Sequence, residues 1–344
     1  MLQCSQIDHQ DPRQKSSLPI GWSSSLECWC VYDPANIAAI LKSRDFSVVN
    51  YVEAYRLLEN RVGMDCSTLI RALHHIPLAN EGETHARLRK DMAQLVASQV
   101  KGAKRHLATY IRATVTNVCQ SGARVDLVES LIRPIADTFF AFLLGMDLPD
   151  KESDGVSVSQ IFDRFLGLNR RKAIAKKAYD ILKTFSGAAE RLKTSPDYAL
   201  AVTIIGHDSL VGSLGGSLLK VLKDGAGKRL SELSFPQSMP ATGVPYVERL
   251  ARRDCRIDGM TVRAGERVRL FLDATLSEAR PEPRLLFGKG RHSCIGEDIS
   301  LWIWQSLSAE LSRLPLRFSI QTVRQRKRDY VFSYYSSLVV QFHD

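Results

Sequence analysis

The 344-residue chain has no apolar run that approaches the ~18 residues needed to cross a bilayer. Its opening residues, MLQCSQIDHQDPRQKSS, are polar and lack the apolar core of a secretory signal. Its seven cysteines are odd in number and scattered, so no disulfide framework is legible. We therefore expect a cytoplasmic protein without a membrane span.

The sequence also lacks any nucleic-acid-binding motif, although 47 basic residues outnumber 37 acidic ones and give a net charge of +10. We expect no nucleic-acid partner, and the surplus instead favours docking of an acidic protein. Hydrophobic content of 44% and charged content of 24% are ordinary for a soluble globular protein. We expect a disordered tail over residues 1–18 and a single domain over residues 19–344.

One stretch, FGKGRHSCIG at residues 287–296, presents a cysteine in a loop that glycines punctuate. Gly288 and Gly290 lack β-carbons, so the backbone can turn tightly and lie flat against a bulky planar ligand. Gly296 lets backbone amides approach the Cys294 sulfur. An apolar-periodic helix follows, and the positive end of its dipole favours the thiolate, which is the form that binds metal. The alternative is a turn with a buried structural cysteine.

A second stretch predicts a long helix from Ser195 to about Lys223, ending at Gly225. Four glycines lie inside it, at a cost of about 1 kcal/mol each relative to alanine. That cost indicates that something bulky approaches the backbone closely. The alternative is a buried core helix kinked by glycines. Further helical patterns cover 103–119, 126–144, 156–168 and 169–193, and the tail at 317–342 alternates like a sheet.

The cysteine stretch matches F-G-x-G-x-H-x-C-x-G and resembles the haem-binding loop of the cytochromes P450. Ile205-Gly206-His207-Asp208-Ser209 resembles the oxygen-binding centre of their long helix, and His85 with Arg89 resembles the His-x-x-x-Arg pair that binds haem propionates. For that pair the alternative is a solvated basic face. The resemblance spans about residues 26–342 and implies a mainly α fold with a small β lobe, an abbreviated haem-thiolate fold of the P450 type.

The resemblance implies roles for individual residues. Cys294 is the expected iron ligand of haem b. Asp208 is expected to feed protons inward, and the Ser209 hydroxyl is expected to hold dioxygen at the iron. The expected cofactor-binding residues are His85, Arg89, Gly206, Arg249, Phe287, Gly288, Gly290, His292 and Gly296. The expected substrate contacts are Ile205, Tyr246, Tyr334 and Tyr335, with the two tyrosines near the C-terminus at a turn.

The chain departs from the family at the Glu-x-x-Arg signature. Glu232 stands at the corresponding place, but Phe235 replaces the arginine, and the later loop that carries the arginine's partner is clipped. A buried ion triad is often replaceable by packed apolar groups at no net loss of stability. We therefore expect a rebuilt core, with Phe235 packed inside and Glu232 at the surface or paired locally.

The implied activity is monooxygenation of a small, apolar organic substrate with electrons from a ferredoxin and its reductase. Lys289 and Arg291 flank the cysteine on the loop expected to face that donor. Two alternatives stay open: a haem-thiolate enzyme that uses no external electrons (a peroxygenase, isomerase or dehydratase), and a catalytically decayed haem-binding paralogue.

Overall fold

The computed structural model describes residues 19–120, 122–147, 156–163, 166–192, 195–276, 282–325 and 331–344, so the expected tail at 1–18 lies outside the described residues. The α-helices within those ranges are α1 Pro34–Lys42, α2 Tyr51–Val62, α3 Ser67–His74, α4 Gly82–Val118, α5 Arg133–Leu144, α6 Leu168–Leu192, α7 Pro196–Asp224 and α8 Glu297–Leu311. Helices dominate and the strands form a smaller lobe, so the predicted fold class is confirmed.

The strands of the described residues are β1 Ile20–Ser23, β2 Cys28–Val31, β3 Phe46–Ser47, β4 Arg124–Asp126, β5 Tyr246–Ala251, β6 Cys255–Ile257, β7 Met260–Val262, β8 Arg267–Phe271, β9 Arg317–Gln325 and β10 Tyr335–His343. Five of them form one sheet in the order β1-β2-β8-β5-β3, in which only the β2–β8 pairing is parallel. A second sheet has the order β4-β10-β9. The hairpin β6–β7 turns at Asp258 and Gly259, both at positive φ, as the Asp-Gly pair predicts.

Helix α7 is the central helix of the larger core. Ser195 caps it by accepting a hydrogen bond from the amide of Asp197 at 3.2 Å, and Pro196 fills the first position, where its missing N–H costs nothing. Among the described helices α7 is the one long and apolar enough to cross a membrane, but 72% of its apolar window is buried inside the protein. It is thus a core helix, and the start and end predicted for it are confirmed.

Two other predicted helices differ from the structure. The pattern at 103–119 continues without a break from the helix that carries His85, and both belong to the 37-residue α4. The pattern at 156–168 forms only the short 3-10 helix Val158–Phe162, because Ser157 caps it and Asp163 leaves the helical conformation at once. This short turn, bounded by Ser157 and Asp163, determines the surroundings of Asp208.

Candidate functional site

The cysteine loop is closed by its own backbone. The amide of Cys294 donates to the carbonyl of Phe287 at 2.7 Å, and Gly288 and Gly290 adopt φ of 72° and 74°, which favours glycine. A β-carbon on Gly290 would lie 3.0 Å from the carbonyl oxygen of Leu41 in α1. The close approach that Gly290 permits is therefore to the backbone of α1, and the expected flat contact with a ligand is not what this glycine provides.

Cys294 lies just before α8, with Gly296 at the cap position of that helix. Burial raises the pKa of the Cys294 thiol, and hydrogen bonds from the amides of Gly296 and Glu297 oppose the rise. The amides at the start of α8 therefore do not by themselves cancel the effect of burial on the pKa of this thiol. Although Cys294 lies deep in the molecule, its side chain is exposed, because it opens onto a cavity between the loop and α7.

That cavity has a volume of about 240 Å³ and is mostly apolar. One face of α7 forms part of its wall, with the residues Val202, Ile205, Gly206, Ser209, Leu210 and Ser213. The opposite wall is the cysteine loop, and the expected residues His85, Arg89, Arg249, Phe287, Gly288, His292 and Gly296 also line the cavity. Gly290 is absent from this wall, in agreement with its contact to α1.

Two histidines meet at one side of the cavity. The rings of His85 and His292 lie 4.1 Å apart. His85 Nε2 and both ring nitrogens of His292 are buried without a hydrogen-bond partner among the described residues, and the nearest carboxylate, Glu81, is 3.7 Å from His292 Nε2. Burial, and then the nearby charge of Arg249, lowers the pKa of His292 to about 3. Such orphaned polar atoms are rare and mark a place where an acceptor fits.

Two arginines complete this basic side of the cavity. Arg249 is 4% exposed, and its guanidinium donates to the backbone carbonyl of Glu248 at 2.8 Å. Burial lowers the pKa of Arg249 to about 10, with a smaller opposing effect from Glu81. Arg89 donates to the carbonyl and hydroxyl oxygens of Ser293, next to the cysteine. Four basic side chains therefore converge where carboxylates of a haem could be bound, and the donor set fits that group.

Gly206 and Ser209 both face the cavity from α7. A β-carbon on Gly206 would lie 2.7 Å from the ring of Phe140, so this glycine leaves room for an aromatic side chain of α5. The Ser209 hydroxyl donates to the carbonyls of Ile205 and Gly206, each at 2.9 Å. Its oxygen is thus held on the cavity face while its proton is directed to the helix backbone.

Asp208 is 5% exposed and does not line the cavity. Its carboxylate accepts hydrogen bonds from the hydroxyls of Ser157, at 2.7 Å, and Ser159, and lies 3.1 Å from His207 Nδ1. Burial by itself raises the pKa of the Asp208 carboxyl, but the bond and charge of His207, together with both serines, hold it well below its usual range. His207 Nε2 in turn lies 2.7 Å from Asp137 Oδ1.

Of the expected substrate residues, Ile205 lines the cavity and three tyrosines do not. Tyr246 is buried beneath the guanidinium of Arg269, 4.0 Å from its ring centre. Tyr334 is buried elsewhere, and Tyr335 begins β10, so the pair does not form the expected turn.

The cavity residues that the sequence analysis missed include Ser213 on α7 and, outside that helix, Thr242, Val244, Val331 and Phe332. The signal that could have found the last two was an apolar pair one residue before the two tyrosines, at the entrance to an alternating strand. Thr242 and Val244 carry no such local signal.

The chain has relatives of two kinds, namely proteins that are similar in sequence and solved structures that are similar in fold. No protein-family model matches the chain. In sequence it is 23% identical to nocardicin C N-oxygenase of Nocardia uniformis subsp. tsuyamanensis over 90% of this chain and 87% of that one. It is 22% identical to the biotin biosynthesis cytochrome P450 of Bacillus subtilis, over 63% of this chain and 65% of that one.

Solved structures share the fold over nearly the full length. The structure of P450BioI in complex with a fatty-acid-ligated acyl carrier protein matches with a TM-score of 0.73 at 18% identity, covering 94% of this chain and 95% of that one. P450 RauA, solved with a biosynthetic intermediate of aurachin RE, also matches with a TM-score of 0.73 and covers 98% of this chain and 99% of that one. The resemblance to the cytochrome P450 family is thereby confirmed, and the chain has the fold of the bacterial cytochromes P450.

Proposed function

We propose that the protein is a haem-thiolate monooxygenase that inserts one oxygen atom from dioxygen into a small, apolar organic substrate. The observation that carries the proposal is that Cys294 and four basic side chains face one apolar cavity from the loop, α4 and β5. The named relatives include a P450 oxygenase, which supports an oxidoreductase of the P450 type.

The residues present can hold haem b. Cys294 supplies a sulfur ligand for the iron, and Arg89, Arg249, His85 and His292 supply hydrogen-bond donors for the two propionates. Bound haem supplies the activation of dioxygen, and a thiolate ligand favours cleavage of its O–O bond. Carboxylates at this place would also give the buried ring nitrogens of His292 an acceptor and the buried guanidinium of Arg249 a counter-charge.

The chain's own residues then set the surroundings of the reaction. Val202, Ile205 and Phe332 make the wall above the loop apolar, which excludes water and selects an apolar substrate. The Ser209 hydroxyl faces the cavity from α7 and could donate a hydrogen bond to dioxygen held there. To do so it must turn its proton away from the carbonyls of Ile205 and Gly206.

The role proposed for Asp208 needs a change of position. Its carboxylate now bonds Ser157, Ser159 and His207, away from the cavity, so proton delivery requires a rotation about its side-chain bonds. This placement also favours a second candidate, a haem-thiolate enzyme that uses peroxide and needs neither external electrons nor a proton supply. Product formation with reductase, ferredoxin and NADPH, compared with product formation with hydrogen peroxide alone, separates the two.

Electrons for the monooxygenase would come from a ferredoxin reduced by its reductase in the cytoplasm, and the net charge of +10 suits an acidic donor. Of the two loop residues proposed for docking, Lys289 is partly exposed and pairs with the exposed carboxylate of Glu282 at 2.7 Å. Arg291 has a similar exposure, but its guanidinium donates to the carbonyl of Phe46 at 3.2 Å and lies 3.5 Å from Glu81. We therefore keep Lys289 as the docking residue and assign Arg291 to holding the loop.

The proposed function is tested by purifying the protein with haem and reducing it under carbon monoxide. A strongly red-shifted Soret band, together with substrate-dependent consumption of NADPH and dioxygen, is the expected result. A haem protein with an unshifted band would contradict the proposal.

A further inference from the structure

The connection between α7 and β5, residues 225–245, lies directly on α7 and carries Thr242 and Val244 to the cavity. Two serines one helical turn apart fasten it. Ser213 Oγ accepts a hydrogen bond from the amide of Gly243 at 2.8 Å. Ser217 Oγ accepts from the amide of Ala241 at 3.2 Å and donates to its carbonyl at 3.3 Å.

Backbone contacts leave this connection little freedom. A β-carbon on Gly243 would overlap the carbonyl oxygen of Ser209 and lie 2.9 Å from the amide nitrogen of Ser213. A β-carbon on Gly212 would lie 2.8 Å from the α-carbon of Gly243. The amide of Ser333 also donates to the Gly243 carbonyl at 2.8 Å. The Gly243 amide that donates to Ser213 is therefore held in place by α7 on one side and by Ser333 on the other.

Ser213 and Ser217 differ in whether the hydroxyl proton has a hydrogen-bond acceptor. Ser217 is fully buried, and its hydroxyl both accepts from and donates to Ala241. Ser213 is half-buried and lines the cavity, and its hydroxyl proton has no acceptor among the described residues. Because the Gly243 amide occupies one lone pair of Ser213 Oγ, the free O–H keeps a limited set of directions.

The other hydroxyls on this wall are already engaged. Ser209 donates to the backbone of its own helix, and Thr242 Oγ1 lies 3.4 Å from the Val244 carbonyl and accepts from the Val244 amide at 3.0 Å. On the wall formed by α7 and the connection, Ser213 is thus the side chain with a donor left over. A donor in an apolar site favours a ligand with an acceptor, since an unmatched polar group loses its bond to water.

We propose that Ser213 donates a hydrogen bond to an acceptor oxygen of the substrate and thereby orients it. The substrate is then an apolar molecule with a single carbonyl, ether or hydroxyl oxygen. Ser213 lies four positions after Ser209 on α7, a rise of about 6 Å. The substrate oxygen that Ser213 binds therefore lies about 6 Å along the helix from Ser209. The inference rests on the proposed function for the reaction at this site, but ligand binding tests it separately.

The test compares matched probes in the haem-loaded protein: decalin with 1-decalone, and adamantane with 2-adamantanone. Dissociation constants are measured by ligand-observed NMR, which does not depend on the spectrum of the haem. The quantity of interest is the ratio of the hydrocarbon's dissociation constant to the ketone's. For at least one pair, Ser213→Ala is expected to lower this ratio about fivefold, the usual value of one neutral hydrogen bond.

Ser217→Ala is the matched control. It removes the equivalent fastening one turn away but no hydroxyl of the cavity, so the wild-type ratio is expected to persist. If Ser213→Ala does not fold, Ser213→Cys, which keeps the size with a weak donor, replaces it and is expected to lower the ratio similarly. Ser213→Thr keeps the hydroxyl and should keep the preference.

An unchanged ratio in Ser213→Ala or Ser213→Cys overturns the proposal. So does an equal loss in Ser217→Ala, since the effect would then come from displacement of the connection, and so does a wild type without preference for either ketone. The proposed function fails on a different result, the absence of the red-shifted Soret band under carbon monoxide.

Discussion

The indole N–H of Trp304 donates to the carbonyl of Pro236 at 2.8 Å and ties the connection after α7 to α8. Beside it the side-chain amide of Gln305 donates to the backbone carbonyl of Gln237 at 3.0 Å, and the ring of Phe235 lies 6.1 Å from that of Trp304. Helix α8 follows directly on the cysteine loop. An aromatic and hydrogen-bonded contact therefore stands in the segment where the family resemblance places a glutamate–arginine signature.

Restoring the signature arginine is expected to be harmful. Phe235 is half-buried against the core, and Glu232 is exposed and accepts from the amide of Arg229 at 2.9 Å, so it offers no buried partner. Phe235→Arg should lower the free energy of unfolding by about 1–2 kcal/mol and speed haem loss. Thermal unfolding and haem transfer to apomyoglobin measure both, with Phe235→Leu as the control that keeps an apolar group. Higher stability of Phe235→Arg would mean that the site is damaged and not rebuilt.

Asp208 gives a prediction for acid stability. Because its pKa is lowered on folding, the ionised carboxylate stabilises the fold above the unfolded value of about 4, and this contribution is lost as pH falls below it. Asp208→Asn should be less stable at pH 7 and should lose less stability between pH 5 and pH 3 than the wild type. Urea unfolding at several pH values provides the measurement. Asp224→Asn, at the exposed end of α7, is the control and should follow the wild-type slope.

Ser209 is expected to determine how tightly electron consumption is coupled to product formation. Ser209→Ala removes a hydroxyl on the cavity face while leaving the haem-binding residues intact, so haem content should be unchanged. Reducing equivalents should pass to hydrogen peroxide in place of product, because the hydroxyl that we propose to order dioxygen is lost. The ratio of peroxide to product per NADPH measures this. Ser209→Thr, which keeps the hydroxyl, should remain coupled, and equal coupling in the alanine variant would favour the peroxide-dependent alternative.

Lys289 and Arg291 should respond differently to charge reversal. Lys289→Glu should raise the apparent KM for an acidic ferredoxin, and the wild-type rate should fall with salt, because salt screens the attraction between the partly exposed Lys289 and an acidic partner. Arg291→Glu should instead weaken haem retention, since it places a second carboxylate near Glu81. Stopped-flow reduction and haem content separate the two effects. A rate of reduction that does not depend on salt would remove Lys289 from the docking surface.

The sequence predicted the parts of the site that are local. Cys294, Gly288 and the His85–Arg89 pair lie in short stretches whose spacing alone places them on a loop or one helical face, and all of them line the cavity. The position of Asp208 was not predictable in this way. It depends on serines about 50 residues earlier, in a segment whose helical pattern forms only a short turn.

The side proposed to bind substrate was predicted least well, because the part of its wall opposite α7 comes from segments without regular secondary structure. Thr242 and Val244 reach the cavity only because glycine backbones at 212 and 243 pack against each other. Aromatic side chains near the C-terminus looked like contacts for a ligand, but Tyr334 is 2% exposed and buried in the core. Their neighbours Val331 and Phe332 take the place on the wall, which depends on how β10 enters its sheet.

The central claim is that Cys294 ligates haem iron in this cavity. The most direct measurement is the absorption spectrum of the reduced, carbon-monoxide-treated protein, wild type beside Cys294→Ser. The account predicts a strongly red-shifted Soret band in the wild type and its loss in the variant. Cys255→Ser, which changes a cysteine outside the cavity, should keep the band. A shifted band that survives in Cys294→Ser would contradict the account.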